Sequence, residues 1–176
     1  KEGSGNIGAT NVLRVLGKRW GYAVFLIDFF KGFAAVRLAF ILVRFWPGAK
    51  PYAEYIAILT AIMCVLGHNF PVWLRFKGGK GVATSGGAVF GLVPLALPFV
   101  LLVWVVVFYT TRYVSLASVV GAISLPIVVG LFARWNFVDT YAFIYFSLLI
   151  ALLVVWRHRS NFSRLLNGTE QRFSRK

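Results

Sequence analysis

Residues 84–109 read TSGGAVFGLVPLALPFVLLVWVVVFY, an unbroken run without a charged side chain. A bilayer-spanning helix needs about 20 mostly apolar residues, so this run belongs in a membrane. Two full crossings do not fit, because 26 helical residues rise only about 39 Å. Pro94 and Pro98 lie inside it. A half-helix, a turn near Leu92-Val93-Pro94 and a longer return helix would satisfy both facts. A turn at membrane depth is tolerated where protein buries it. The alternative is one ordinary span, which would put Arg112 on the far side.

Further apolar runs flank this one. Trp20 to Trp46 is long enough to span, although Asp28, Lys31 and Arg37 interrupt it. Pro47-Gly48-Ala49-Lys50-Pro51 is a turn, and Tyr52 to Leu66 or a little beyond is the next span. Val114 to Phe132 is another, softly broken at Pro126, and Thr140 to Trp156 is the last. A basic, polar tail follows from Arg157 to Lys176. Trp20, Trp46, Tyr52, Trp73, Tyr109, Tyr113 and Trp156 mark the span ends, as an interfacial aromatic belt does. The expected class is therefore all-α and polytopic. Composition agrees: of 176 residues 59% are hydrophobic and 14% charged, with a mean hydropathy of +0.77. Soluble domains carry about a quarter charged residues. One cysteine, Cys64, excludes an internal disulfide. The chain opens without a Met on a polar, glycine-rich segment, so the native N-terminus is expected upstream.

The charge is lopsided, with 19 Lys and Arg against five acids: Glu2, Asp28, Glu54, Asp139 and Glu170. The cations fall between apolar runs and not along a soluble face, which argues against nucleic acid. Lys31 and Arg37 lie within a span, and Arg44, Lys50 and Arg134 lie on one side. If the N-terminal segment, the Arg75 loop, Arg112 and the tail share the other side, that side holds the remaining 14 of the 19. The rich side is then cytoplasmic.

Four polar segments carry the chemistry. The first, GSGNIGATNVLR at 3–14, matches a dinucleotide fingerprint on paper, but no βαβ unit is available around it. Its glycines let backbone amides approach an anion, and Thr10 and Arg14 share a helical face. A plain membrane-surface turn is the bland alternative. The second, RFKGGKGVAT at 75–84, fails the Walker pattern, since Gly81 follows Lys80 where Ser or Thr is required. Its physics survives: Gly78, Gly79 and Gly81 expose amides, Lys80 adds a charge, and a helix N-terminus follows. A basic loop that only obeys the charge rule would not need three glycines in four positions.

The third segment, RYVSLAS at 112–118, is weak by itself, since Ser115 would serve as a helix cap. The fourth is RHRSNFSRLL at 157–166. His158 and Asn161 are i,i+3, and Phe162, Leu165 and Leu166 form an apolar stripe. An amphipathic helix on anionic lipid explains that equally well. Asn167-Gly168-Thr169 is a sequon by coincidence. His68, beside Asn69, reads as a satisfied interfacial histidine. Asp28 and Lys31, i,i+3 within a span, read as a self-neutralising pair, although charges inside a span suggest function by default.

Together these segments resemble the bacterial acyl-phosphate-dependent glycerol-3-phosphate acyltransferases, the PlsY family. The matching pieces are GSGNIGATNVLR at 3–14, LIDFFKG at 26–32, GHNFPVWLRFKGGKGVAT at 67–84, RYVSLAS at 112–118 and RHRSNFSRLLNGTE at 157–170. They keep the family's order over nearly the whole chain. Phe162 replaces an expected aliphatic residue and affects packing only. The resemblance implies one acyltransferase domain over 1–176, seven membrane helices with the first preceding residue 1, and a cytoplasm-facing site in the inner membrane. It implies transfer of a fatty acyl group from acyl phosphate to the 1-hydroxyl of sn-glycerol 3-phosphate, giving lysophosphatidate and phosphate for phospholipid synthesis. Glycerol 3-phosphate, acyl phosphate and membrane lipid are the implied partners, with no cofactor and no metal.

Carried onto matching positions, the implied catalytic residues are Ser4, Arg14, Lys80, Ser115, His158 and Asn161. The implied substrate-binding residues are Gly5, Asn6, Thr10, Asn11, Gly78, Gly79, Gly81, Thr84 and Glu170. Lys80 and the Gly78–Gly81 amides would hold one phosphate, and Arg14 with Ser4 and Thr10 the other. Ser115, His158 and Asn161 would orient glycerol hydroxyls or the acyl carbonyl. A mixed anhydride needs positioning and charge stabilisation more than a protein nucleophile. An Asp five residues after a His is absent: Trp73 follows His68 and Ser163 follows His158 at that spacing. With carboxylates scarce, the acyl phosphate dianion is the general base. A transporter or channel for an organic phosphate is the alternative, but a transporter would place its polar groups near the midplane. CDP-alcohol phosphotransferases need clustered aspartates, which two separated Asp residues exclude.

Overall fold

The computed structural model describes residues 2–138 and 141–173. Lys1, Asp139, Arg175, Lys176 and the Thr140 expected to open the last span lie outside them. Among the described residues there are eight α-helices and no strand. The chain divides after Pro94 into two compact units. The first holds α1 (Ala9–Leu16), α2 (Lys18–Val43), α3 (Ala53–Asn69) and α4 (Val82–Leu92); the second holds α5 (Ala96–Thr111), α6 (Val114–Arg134), α7 (Ala142–Arg157) and α8 (Arg159–Leu166).

In the first unit, Gly17 separates α1 from α2 at φ +89°. Gly21 then lets Leu13 of α1 lie directly on α2, where a Cβ would overlap its side chain. The α2 helix ends before Pro47, and α3 ends before Pro71, each where the residue preceding a proline leaves the helical region. Short α4 packs on α2 through glycines of both helices. Gly32 meets the Thr84 carbonyl, Gly87 meets the Phe29 carbonyl, and a Cβ at Gly91 would lie 2.8 Å from Val36. Gly87 and Gly91 form the small-xxx-small spacing by which membrane helices approach closely. The core between these helices is of small and branched residues: Val36, Ala39, Ala57, Ala61, Val65 and Ala88.

In the second unit, α6 packs on both α5 and α7. Its core is Leu125, Val129, Phe132, Phe146, Ile150 and Val154. The expected soft break at Pro126 is not there: α6 runs through it as one helix. A proline removes one donor and one i−4 bond, which neighbouring groups in a packed span can offset. The expected break before the long apolar helix is observed, since α4 ends at Leu92 and α5 begins at Ala96. The polar tail folds as α8, bent 51° from α7.

Pro47–Leu74, which contains α3, and Val114–Arg134 are long and apolar enough to cross a bilayer; α7 with α8 qualifies as a bent pair. The 26-residue α2 has the length but carries Asp28, Lys31 and Arg37. Ile27, Leu59, Leu102, Ile127 and Leu152 are exposed along the helix sides. In water such surfaces would aggregate; against lipid they need no cover.

Candidate active site

The first polar loop is built around one side chain. Asn11 Oδ1 accepts from the Ser4 N–H at 2.8 Å and the Ser4 hydroxyl at 3.1 Å. Its Nδ2 donates to the Asn6 carbonyl at 2.8 Å and the Glu2 carbonyl at 3.3 Å. Asn6 Oδ1 accepts from the Gly8 N–H at 2.8 Å, opening α1. Gly3 and Gly5 adopt φ of +58° and +67°, which lets the chain fold back over α1. Asn6 and Asn11, expected to bind substrate, therefore form the scaffold that presents Ser4 and Gly5. Thr10 and Arg14 lie one turn apart on α1, as expected.

The second loop is strained where it leaves α3. Arg75 and Phe76 take φ of +50° and +61°, left-handed conformations that cost non-glycine residues roughly 1–3 kcal/mol each. The Phe76 N–H returns to the Pro71 carbonyl at 3.0 Å. Gly78 and Gly79 then donate to the carbonyls of Asn69 and His68, each at 3.2 Å. This corrects one expectation: the amides of Gly78 and Gly79 are spent on the end of α3. Those glycines are required because the turn presses on α3. A Cβ at Gly79 would overlap the His68 ring, and one at Gly78 would overlap the His68 carbonyl. Gly81 holds φ +79° ahead of α4, 2.6 Å from Asn69 Oδ1 if it carried a Cβ. The donors that helix geometry leaves over are the first-turn amides of α4, Val82 to Thr84, which have no carbonyl within the helix.

Around that helix start lie four buried polar atoms with no hydrogen-bonding partner among the described residues: Asn69 Oδ1 and Nδ2, Thr84 Oγ1 and Ser85 Oγ. Asn69 and Thr84 are wholly buried. Unmatched buried groups cost about 1–3 kcal/mol each, so a cluster of four at one helix start calls for a physical reason. Lys80 is half-buried at the mouth of this turn. Sequence reasoning found Lys80 and Thr84 but not Asn69 or Ser85.

In the second unit, Glu170 is the hub. Its Oε1 accepts from Ser115 Oγ and Asn161 Nδ2, each at 2.6 Å, and its Oε2 from Arg164 Nε at 2.7 Å. Gly168, at φ +69°, and the Thr169 N–H to Arg164 carbonyl bond of 2.8 Å turn the chain back after α8. The Phe173 N–H bonds the Arg112 carbonyl at 3.0 Å, tying this return to the start of α6. Arg112 itself is left-handed at φ +65°. The N-cap of α6 is Tyr113, and Ser115 lies inside the first turn, contrary to the capping alternative. Glu170, expected to touch substrate, joins Ser115, Asn161 and Arg164. Burial pushes its carboxyl upward, but the hydrogen bonds from Ser115, Asn161 and Arg164 and the Arg164 charge outweigh this and hold it below the ordinary glutamate range. His158 is buried, and its Nδ1 lies 2.8 Å from the Val154 carbonyl, so Nδ1 carries the proton.

Two residues read as a pair in the sequence meet a third. Lys31 Nζ donates to Asp28 and lies 2.8 Å from His68 Nδ1, which is also 3.4 Å from Asp28 Oδ1. The pairing of Asp28 with Lys31 was legible from their spacing. The place of His68, 37 residues away, was not.

Residues 1–168 match the family model described as glycerol-3-phosphate acyltransferase. A glycerol-3-phosphate acyltransferase of Desulforamulus reducens is 44% identical over 177 residues, covering 100% of this chain and 82% of that protein. One of Aquifex aeolicus is 42% identical over 175 residues, covering 97% of this chain and 83% of that protein. Two crystal structures of PlsY (YgiH), an integral membrane glycerol 3-phosphate acyltransferase, are similar at 42% identity. The glycerol 3-phosphate form has a TM-score of 0.82 over 98% of this chain and 80% of that one; the lysophosphatidic acid form has 0.81 over 97% and 81%.

Proposed function

The chain belongs to the glycerol-3-phosphate acyltransferase family, and we propose that it uses acyl phosphate as donor and the 1-hydroxyl of sn-glycerol 3-phosphate as acceptor. It is an integral membrane protein; we place its active residues toward the cytoplasm in a bacterial inner membrane. Residues 1–176 serve this one activity. The reading agrees with relatives that carry glycerol 3-phosphate and lysophosphatidic acid forms.

The observation that carries it is the start of α4. Lys80, the first-turn amides and the unmatched Asn69, Thr84 and Ser85 side chains together supply charge and donors for one phosphate. Arg14 and Thr10, with Ser4 held by Asn11, supply the second phosphate site. Ser115, His158 and Asn161 orient the glycerol hydroxyls or the acyl carbonyl, with Glu170 fixing two of them.

The glycerol 1-hydroxyl oxygen attacks the acyl carbonyl carbon, and the bond from that carbon to the phosphate oxygen breaks. Inorganic phosphate departs, and the hydroxyl proton leaves on a phosphate oxygen. The protein forms no bond to the acyl group. Its contribution is proximity and preorganised positive charge around two anions. Product analysis tests this directly. Purified protein with acyl phosphate and glycerol 3-phosphate should give 1-acyl lysophosphatidate and phosphate in equal amounts. Phosphate release without acylated product would contradict it.

A further inference from the structure

The Asp28–Lys31 pair neutralises itself, so the third member of that cluster needs another explanation. An ammonium has only donors, so Lys31 must donate to both Asp28 and His68 Nδ1. His68 then accepts at Nδ1 and carries its proton on Nε2. The side chains of His68 and Asp28 are 6% and 12% exposed. Charge inside a span is costly and is kept for a purpose. Nothing in charge balance requires an imidazole here. What the ring does touch is Gly79: a Cβ at that position would overlap Nε2 and Cε1. The His68 carbonyl accepts from the Gly79 N–H at 3.2 Å. One residue thus grips the turn before Lys80 by both its backbone and its ring.

We propose that Asp28, Lys31 and His68 form a positioning chain for the Gly78–Gly81 turn. The carboxylate fixes the ammonium, the ammonium fixes the ring's orientation and tautomer, and the ring fixes the backbone from which Lys80 and α4 face a phosphate. His68 and Lys31 are positioning residues. This rests on the proposed function only for its kinetic consequence. Its structural consequence, a turn held by the buried Asp28 and half-buried Lys31 of α2, stands separately. The glycine at 79 is the counterpart of the histidine at 68, because any side chain at 79 would displace the ring.

Two measurements on the purified full chain in detergent test it, with thermal stability recorded for every variant. The first is hydrogen exchange of Asp28→Asn. Amides in residues 76–82 should exchange about tenfold faster, the size of coupling within one hydrogen-bonded network, while those of α3 before His68 stay unchanged. The second is steady-state kinetics. Asp28→Asn should raise the KM of the same substrate that Lys80→Arg affects, and the double variant should be no worse than the more damaged single one. His68→Gln, whose amide oxygen keeps an acceptor for Lys31, should retain more activity than His68→Ala. Should Asp28→Asn fail to fold, this histidine pair decides by the same two readouts. Unchanged exchange at 76–82, additive losses in the double variant, or equal damage from Gln and Ala at 68 would overturn the proposal. An inactive wild type would overturn the proposed function and leave the exchange result to judge the chain.

Discussion

Ser115 Oγ and Glu170 Oε1 are 2.6 Å apart, joined by a hydrogen bond that spans 55 residues of chain. The bond makes the C-terminal return part of the second unit's polar cluster. Glu170 accepts from three protein donors, and a carboxamide cannot, because its NH₂ would face one of them. Glu170→Gln should therefore destabilise the protein by about 1.5–3 kcal/mol, the worth of a charged hydrogen bond. The pH dependence follows from the depressed carboxyl. A lowered folded pKa contributes stability above the ordinary glutamate value and loses it as pH falls through the folded value. Thermal melts of both proteins should differ most at neutral pH and converge in acid below the ordinary glutamate range. A constant gap would contradict the role of the charge.

Lys80→Ala should abolish nearly all turnover while leaving the melting temperature near that of the wild type. Its ammonium contributes about 1.5–3 kcal/mol to a charged contact in binding alone, and more if it acts on the transition state. Wild-type turnover in this variant would remove Lys80 from the site.

The apolar runs fixed the helices closely, because burial in lipid requires long uncharged segments whatever the tertiary packing. The break between α4 and α5 was legible because 26 residues cannot make two full crossings and Pro94 disfavours one continuous helix. Pro126 misled, since packing in α6 tolerates what local sequence disfavours. Gly78 and Gly79 looked like amide donors, yet their purpose is the pressure of the turn on His68 and Asn69, a contact between segments that spacing does not reveal. Gly32, Gly87 and Gly91 were silent for the same reason. Glu170 was singled out, but nothing local says that its partners are Ser115 and Asn161.

Arg14→Lys should be far worse than its retained charge suggests. A guanidinium grips phosphate oxygens through two parallel donors, whereas an ammonium is a point charge. If Arg14 holds glycerol 3-phosphate, KM for that substrate should rise with little change in kcat; if it acts on the transferring acyl phosphate, kcat should fall. An arginine that only reaches to lipid head groups would tolerate Lys. Unchanged constants for both substrates would exclude Arg14 from either phosphate.

Lys50 precedes α3 (Ala53–Asn69) and Lys77 follows it, so single cysteines there should label from opposite sides of the membrane. In a Cys64→Ser background, Lys77→Cys should react only with reagent on the cytoplasmic side and Lys50→Cys only from outside. The charge asymmetry requires that orientation. The reverse pattern would turn the active residues away from the cytoplasm.

The central claim is the identity of the donor, and one competition measures it. Purified protein is given glycerol 3-phosphate with acyl phosphate, acyl-CoA or acyl carrier protein carrying the same chain. On the proposed function, lysophosphatidate should form from acyl phosphate alone, with inorganic phosphate released in step. Lysophosphatidate formed from acyl-CoA at a comparable rate would contradict the account.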